Sequence, residues 1–136
     1  MSPRIDFDYD FQYRSLPPFG YLPILDVTLV GPAGEDGLLA IIDTGAKYCL
    51  FNGLRAKAVG LELGNGRLEI LSGLAGNLQA RIHPVALEIF GTRFQCEVAF
   101  SEQEIRRELL GRHTLFTQTR FGFREGMILG YFHPQK

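Results

Sequence analysis

Leu38-Leu39-Ala40-Ile41-Ile42-Asp43-Thr44-Gly45-Ala46 is the stretch on which the reading of this 136-residue chain turns. Apolar residues run unbroken into an aspartate, a threonine and a glycine. Such a run, without alternation, predicts a strand buried on both faces. Its abrupt end puts Asp43 where that strand leaves the core. Two readings are open at this point. Asp-x-Gly is a common turn that ends a strand. The same triplet also suits one half of a carboxylate pair that hydrolyses peptides. Two carboxylates about 3 Å apart cannot both ionise, so one activates water while the other, protonated, polarises the carbonyl. In that reading Asp43 does the acid/base work, Thr44 donates a hydrogen bond that locks the loop, and Gly45 lets a second backbone and a substrate approach.

Working outward, 16 glycines punctuate short runs of Val, Ile, Leu and Phe, the texture of an all-β protein with many turns. Leu25 to Val30 reads as a strand, with a hairpin turn from Gly31-Pro32 to Gly37 leading into the decisive run. Further upstream, Ile5 to Tyr13 alternates strictly, aromatic or aliphatic at odd positions and polar at even ones. Pro17-Pro18 ends that segment. Downstream, Leu54 to Val59 predicts two turns of helix closed by Gly60. A hairpin spans Arg67 to Val85, its tip at Ser72 to Asn77. Strands at Ala86 to Phe90 and Phe94 to Phe100 follow. Ser101-Glu102-Gln103-Glu104 has capping-box spacing and predicts a helical turn. Beyond Leu109-Leu110-Gly111, Thr114 to Thr119 is a second helical candidate; one continuous helix over 102–116 competes with both, since a glycine inside it costs only about 1 kcal/mol. Phe121 to Phe132 makes a final hairpin around Glu125-Gly126. Asp26 is expected within a strand and Asp36 in a turn.

Composition narrows the function. With 14 basic and 15 acidic residues the net charge is −1, which offers no field for nucleic acid or an anionic membrane surface. No apolar run approaches the ~20 residues of a membrane helix, and the first residues lack the apolar stretch of a secretory signal. Cys49 and Cys96 are expected to be reduced and buried, and a cytoplasmic location is the expectation. His83, His113 and His133 have no metal-like spacing and are expected in turns or at the surface. Ser72 and Ser101 lack a partner base. Glu102 is expected to face Arg106 across one helical turn. No metal or cofactor is called for.

Three elements in order resemble the retropepsin-like aspartic peptidases, that is, the retroviral proteases and their single-domain bacterial relatives. They are the hairpin ending in Asp43-Thr44-Gly45-Ala46, the glycine-bearing hairpin tip Ser72 to Asn77, and Leu109-Leu110-Gly111 followed by Arg112. The resemblance runs from about Leu25 to Phe132. It implies a mostly β fold, a closed acid-protease barrel with one or two short helices. Residues 1–136 would form one domain, with 1–18 an N-terminal strand or arm. It also implies that Gly111 makes room for the catalytic loop, that Gly73, Leu74, Ala75 and Gly76 form a flap, and that Ala46, Lys47 and Leu110 join them around the substrate. Since only one Asp-Thr-Gly is present, the second carboxylate must come from another copy, and the implied partners are the chain itself and a peptide or protein substrate. The implied reaction is aspartic endopeptidase hydrolysis without cofactor or metal.

The chain ends are then expected either to interleave across the dimer or to cover their own subunit's core. Two departures stand out. Lys47 occupies a position where retroviral relatives usually carry an acid that pairs with the arginine after the late glycine, and it cannot pair with Arg112. If it lines the cleft, it favours acidic side chains near the cleaved bond. Ala46 has no hydroxyl to stabilise an ionised pair, so a weakly acidic to near-neutral optimum is expected. The alternative is a catalytically inactive dimerisation or peptide-binding module on the same fold.

Overall fold

Strands account for most of the residues that the computed structural model describes, 8–73 and 76–132. In chain order they are β1 (Tyr9–Gln12), β2 (Arg14–Ser15), β3 (Tyr21–Leu22), β4 (Ile24–Gly31), β5 (Gly34–Ile42), β6 (Cys49–Asn52), β7 (Arg67–Gly73), β8 (Gly76–Ile89), β9 (Thr92–Ser101), β10 (Leu109–Leu110), β11 (Arg120–Arg124) and β12 (Ile128–Phe132). One α-helix, α1 (Gly53–Ala58), follows β6, as the sequence predicts to within a residue.

The order of hydrogen-bonded neighbours makes a circuit. From β4 it passes to β5, β10, β6, β9 and β8, and β8 pairs back onto β4. β10 lies parallel to β5, with Leu109 opposite Ile41 and Leu110 opposite Ile42. On its other side Leu109 faces Leu50 of β6. β7 pairs only with the first half of β8 and stands out from the circuit as a hairpin. Alternate positions of β4 (Leu25, Val27, Leu29) point inward, where they meet Phe51, Leu87, Val98, Phe100 and Leu110 in the main core. Ala56 and Val59, from α1 and the residue that caps it, and Leu115 close that core.

β5 enters with alternation. Leu39 is 49% exposed, and only from Ala40 to Ile42 is the strand buried on both faces. The β4–β5 turn is Pro32-Ala33 alone, shorter than expected, so Asp36 lies in β5 and not in a turn. The Ala33 N–H donates to Val59 O at 3.0 Å, docking the hairpin tip beside α1. β8 runs unbroken through Pro84. Opposite it, the Glu97 N–H turns away to Thr114 Oγ1 at 2.9 Å. The two therefore form a non-hydrogen-bonded pair. The proline nitrogen faces the other edge, in the gap between the β7 pairing, which ends at Ile82, and the β4 pairing, which starts at Ala86.

No helix forms over 102–108. Ser101, the last residue of β9, bonds the Gln103 N–H at 3.1 Å, two positions on, and not the third-position amide that a capping box needs. Asn52 takes the Ile105 N–H at 2.8 Å and ties down the segment, which runs through bends without regular structure. Glu102 pairs with Arg81 at 2.7 Å instead of Arg106. Arg112–Phe116 is an irregular helical turn with His113 extended and Thr114 at φ +63°.

The terminal strands form a separate sheet in the order β1-β12-β11 within the one chain. Phe11 stacks on Phe90 with centroids 4.6 Å apart, and Tyr13 is buried, so this N-terminal segment packs against the core of the same chain. Ile5 to Phe7, the start of the alternating segment, lie outside the described residues. Among the described residues, no helix is long and apolar enough to cross a membrane.

Candidate active site

Asp43 follows the last residue of β5, and three backbone contacts fix its loop. The Asp43 N–H donates to Leu110 O at 3.0 Å, the Ile41 N–H to Glu108 O at 2.9 Å, and the Ile42 N–H to Pro23 O at 2.9 Å. The chain then turns sharply. The Ala46 N–H donates to Asp43 O at 3.1 Å, and the Gly45 N–H to Asp43 Oδ1 at 2.9 Å. A Cβ on residue 45 would lie 3.2 Å from that same oxygen. The loop is thus locked within the chain by the aspartate itself, while Thr44 is exposed.

Those bonds alone are what any Asp-x-Gly turn makes. The packing behind the loop goes further. Gly111 lies against the loop backbone: a Cβ there would stand 2.3 Å from Tyr48 O and 2.9 Å from Ala46 O. No other residue type fits. Beyond Gly111 the two segments run side by side, with the Arg112 N–H on Ala46 O at 3.0 Å and the His113 N–H on Lys47 O at 2.6 Å. The Cys49 thiol accepts the Gly111 N–H at 3.4 Å, and burial pushes that thiol up to about 12, which makes it inert packing. Both cysteines are free and buried, as expected.

A polar network flanks this clamp. Tyr48 is buried, its ring meets His113 edge-on at 5.1 Å, and its hydroxyl lies 3.4 Å from Glu69 of β7. His113 Nε2 bonds Glu97 Oε1 at 2.7 Å, and Arg67 reaches Glu97 at 3.6 Å and Glu69 at 3.7 Å. The Glu97 carboxyl is held below its usual range, first by the His113 hydrogen bond and then by the Arg67 charge, with partial burial opposing both.

The predicted residues divide. Asp43, Thr44, Gly45, Ala46 and Lys47 form one loop whose outer face, at Thr44, Gly45 and Lys47, is exposed. The Leu110 side chain is fully buried in the core, so it offers the loop its carbonyl and no side-chain contact to a substrate. Gly73 and Gly76 face each other at the end of the β7–β8 hairpin; Leu74 and Ala75 lie outside the described residues, as does His133. His83 is not at the surface: it is buried with Nε2 on Leu63 O at 2.9 Å. Tyr48, Glu97 and His113 were not singled out from sequence as site residues. Nothing local links His113 to Glu97, 16 positions away, and only the fold joins them. Two open cavities, of about 700 and about 540 Å³, are lined by other segments and include none of residues 43–48.

No family model matches the chain, and no curated protein matches it.

Proposed function

We propose that this chain is one subunit of a homodimeric aspartic endopeptidase of the retropepsin-like kind, with Asp43 and its symmetry mate sharing one proton around a lytic water. The circuit of strands is then that family's closed barrel, and the β7–β8 hairpin its flap. One observation carries the reading: Gly111 lets β10 lie flush against the Asp43–Tyr48 loop. A turn that merely ends a strand needs no such clamp, whereas a reacting carboxylate must be held to within about 0.5 Å of its working position. The exposed outer face of the loop is where a second copy would dock, bringing the matching carboxylate.

The test compares wild type with Asp43→Asn on a mixed peptide library, with sedimentation run in parallel. Expected are cleavage of internal bonds by wild type, its loss in the variant, and equal dimerisation of both. At low protein concentration the specific activity should fall as dimers dissociate. Equal cleavage by both proteins would overturn the proposal, as would full activity in a strictly monomeric sample. Dimers that bind peptides and never cut them would place the chain among non-catalytic binding modules.

A further inference from the structure

We infer that Tyr48 and Glu69 are positioning residues that couple the β7–β8 hairpin to the Asp43 loop, so that hairpin and loop shift together when a peptide binds. The inference deepens the site proposed above and rests on that reading of it. It starts where the hairpin leaves the sheet. β8 pairs with β9 only from Ala80, opposite Ser101, onward. Residues 76–79 have β7 as their one strand neighbour among the described residues. A single bond, from the Glu102 N–H to Gln79 O at 3.0 Å, ties this projecting part to the segment after β9. A two-stranded ribbon is marginal in water by itself. Its pose is therefore set by the side chains at its root.

Successive side chains of β7 point to opposite faces. Leu68 and Ile70, on one face, are about half exposed. Arg67, Glu69 and Leu71, on the other, hold the root. Leu71 packs on the buried cluster of Tyr48, Ala80, Ile82 and Ala99, and the Tyr48 hydroxyl donates to Glu69 Oε1 at 3.4 Å. A second route runs from Arg67 to Glu97 at 3.6 Å and from Glu97 to His113 at 2.7 Å. The His113 N–H then donates to Lys47 O at 2.6 Å. Both routes end on consecutive residues, Lys47 and Tyr48, of the loop that Asp43 opens. The backbone of Tyr48 is wedged as well, its carbonyl lying where a Cβ on residue 111 would come within 2.3 Å. Tyr48 is only 5% exposed, so it is shielded from a peptide and acts through what it holds. A residue packed at both ends passes displacement on, because a close-packed interior does not deform continuously.

The test is made on the full-length chain. Tyr48→Phe keeps the ring and removes the hydroxyl, Glu69→Ala removes its acceptor, and Glu69→Gln puts an oxygen back. On the library peptide that wild type cuts best, Tyr48→Phe and Glu69→Ala should each lower kcat/KM about tenfold, less than the ~10²-fold that a 1 Å misplacement can cost. KM should rise and kcat fall together, as for a hinge. The double variant should lose no more than either single one, and Glu69→Gln should stay within about twofold of wild type. A fold that is merely weakened lowers the active fraction and leaves KM where it was. Hydrogen exchange reads the same coupling without chemistry: both variants should speed exchange about tenfold over residues 76–79 and also over 43–48. Glu88→Ala, which breaks an exposed ion pair to Arg93 at the far end of β8, should change neither reading. An unchanged KM in both variants would overturn the inference, as would losses that multiply in the double variant, or faster exchange confined to the hairpin. Cleavage without such coupling removes this inference and leaves the peptidase standing; coupled exchange in a chain that cuts nothing does the opposite.

Discussion

Two carboxylates are served by one short stretch of chain, residues 108–111, and they are treated in opposite ways. The Glu108 side chain is only 9% exposed and saturated with donors. Arg55 grips it through Nε at 3.0 Å and Nη2 at 2.7 Å, and the Asn52 N–H adds a third bond at 3.0 Å. Asp36 holds the same guanidinium from its other side at 3.1 Å, and the Arg55 pKa is raised, chiefly by the Glu108 hydrogen bond. Asp43, bonded through its backbone to Leu110 O, is half-buried and receives the Gly45 N–H on one oxygen. A buried carboxylate that serves structure must be neutralised and fully bonded. One that serves chemistry must keep an oxygen for water or substrate. The contrast teaches that Asp43 is fixed through its backbone, whereas Glu108 is fixed through its side chain.

The strongest way to break that comparison is to disturb the clamp and leave both acids in place. Gly111→Ala drives a methyl group into the backbone at Tyr48 and Ala46, at 2.3 and 2.9 Å, and backbone cannot swing aside as a side chain would. A loss of about 3 kcal/mol or more in urea unfolding is expected, at the upper end for overpacking. A change within about 0.5 kcal/mol, the scale of an ordinary surface substitution, would mean that the loop yields freely and that Asp43 is not held. Next in size is Glu108→Ala, which strands a largely buried guanidinium. Removing one partner of a buried pair typically costs 3–5 kcal/mol, and because Asp36 still holds Arg55 we expect about 2–3 kcal/mol, read by the same titration.

How much of this contrast is legible in the sequence depends on the range of the interaction. The strand into Asp43 and the final hairpin carry local signals and lie where their residues predict, although the strand is buried on both faces only from Ala40; that Gly111 lies beneath the loop was implied by the family resemblance and not by any local pattern. Glu108 gave none, because its partner Arg55 is 53 positions away and sits on a helix whose placement needs the whole circuit. The helix expected after Ser101 failed for a related reason. A helix over 102–116 would withdraw Leu109 and Leu110 from between β5 and β6, and Asn52 instead holds the Ile105 N–H through its side-chain oxygen. Thr114 shows the same priority of tertiary bonds over local preference. Its φ of +63° is costly for a β-branched residue. It is held there by Oγ1 accepting the Glu97 N–H at 2.9 Å and by its carbonyl accepting Gln118 Nε2 at 2.6 Å.

A third acid, Glu97, stands between the two extremes and sharpens the scale. His113 and Arg67 depress its pKa, and it is more than a third exposed. A carboxyl with a depressed folded value contributes stability that is fully present above its unfolded value, about 4.3. That contribution is lost as pH falls through the folded value. Wild type should therefore lose some stability below about pH 4.3 that His113→Gln loses less of, so the two urea curves converge in acid. Solvent screening keeps the effect below about 1 kcal/mol. Parallel curves at every pH would show that the His113–Glu97 contact carries no net energy.

The smallest expected effect is the most telling. Asp43→Asn keeps an oxygen at Oδ1 to accept the Gly45 N–H, keeps the Asp43 N–H on Leu110 O, and removes only charge from a side chain with no ion pair among the described residues. Stability should stay within about 0.5 kcal/mol of wild type, as for substitutions that break no buried contact. A cost comparable to that of Glu108→Ala would mean that the charge at 43 is a structural element, and the distinction between the two carboxylates would collapse. A null result in urea together with lost cleavage isolates the charge as chemical. The fold then tolerates the amide because backbone bonds and Gly111, not the carboxylate's charge, hold the loop in place.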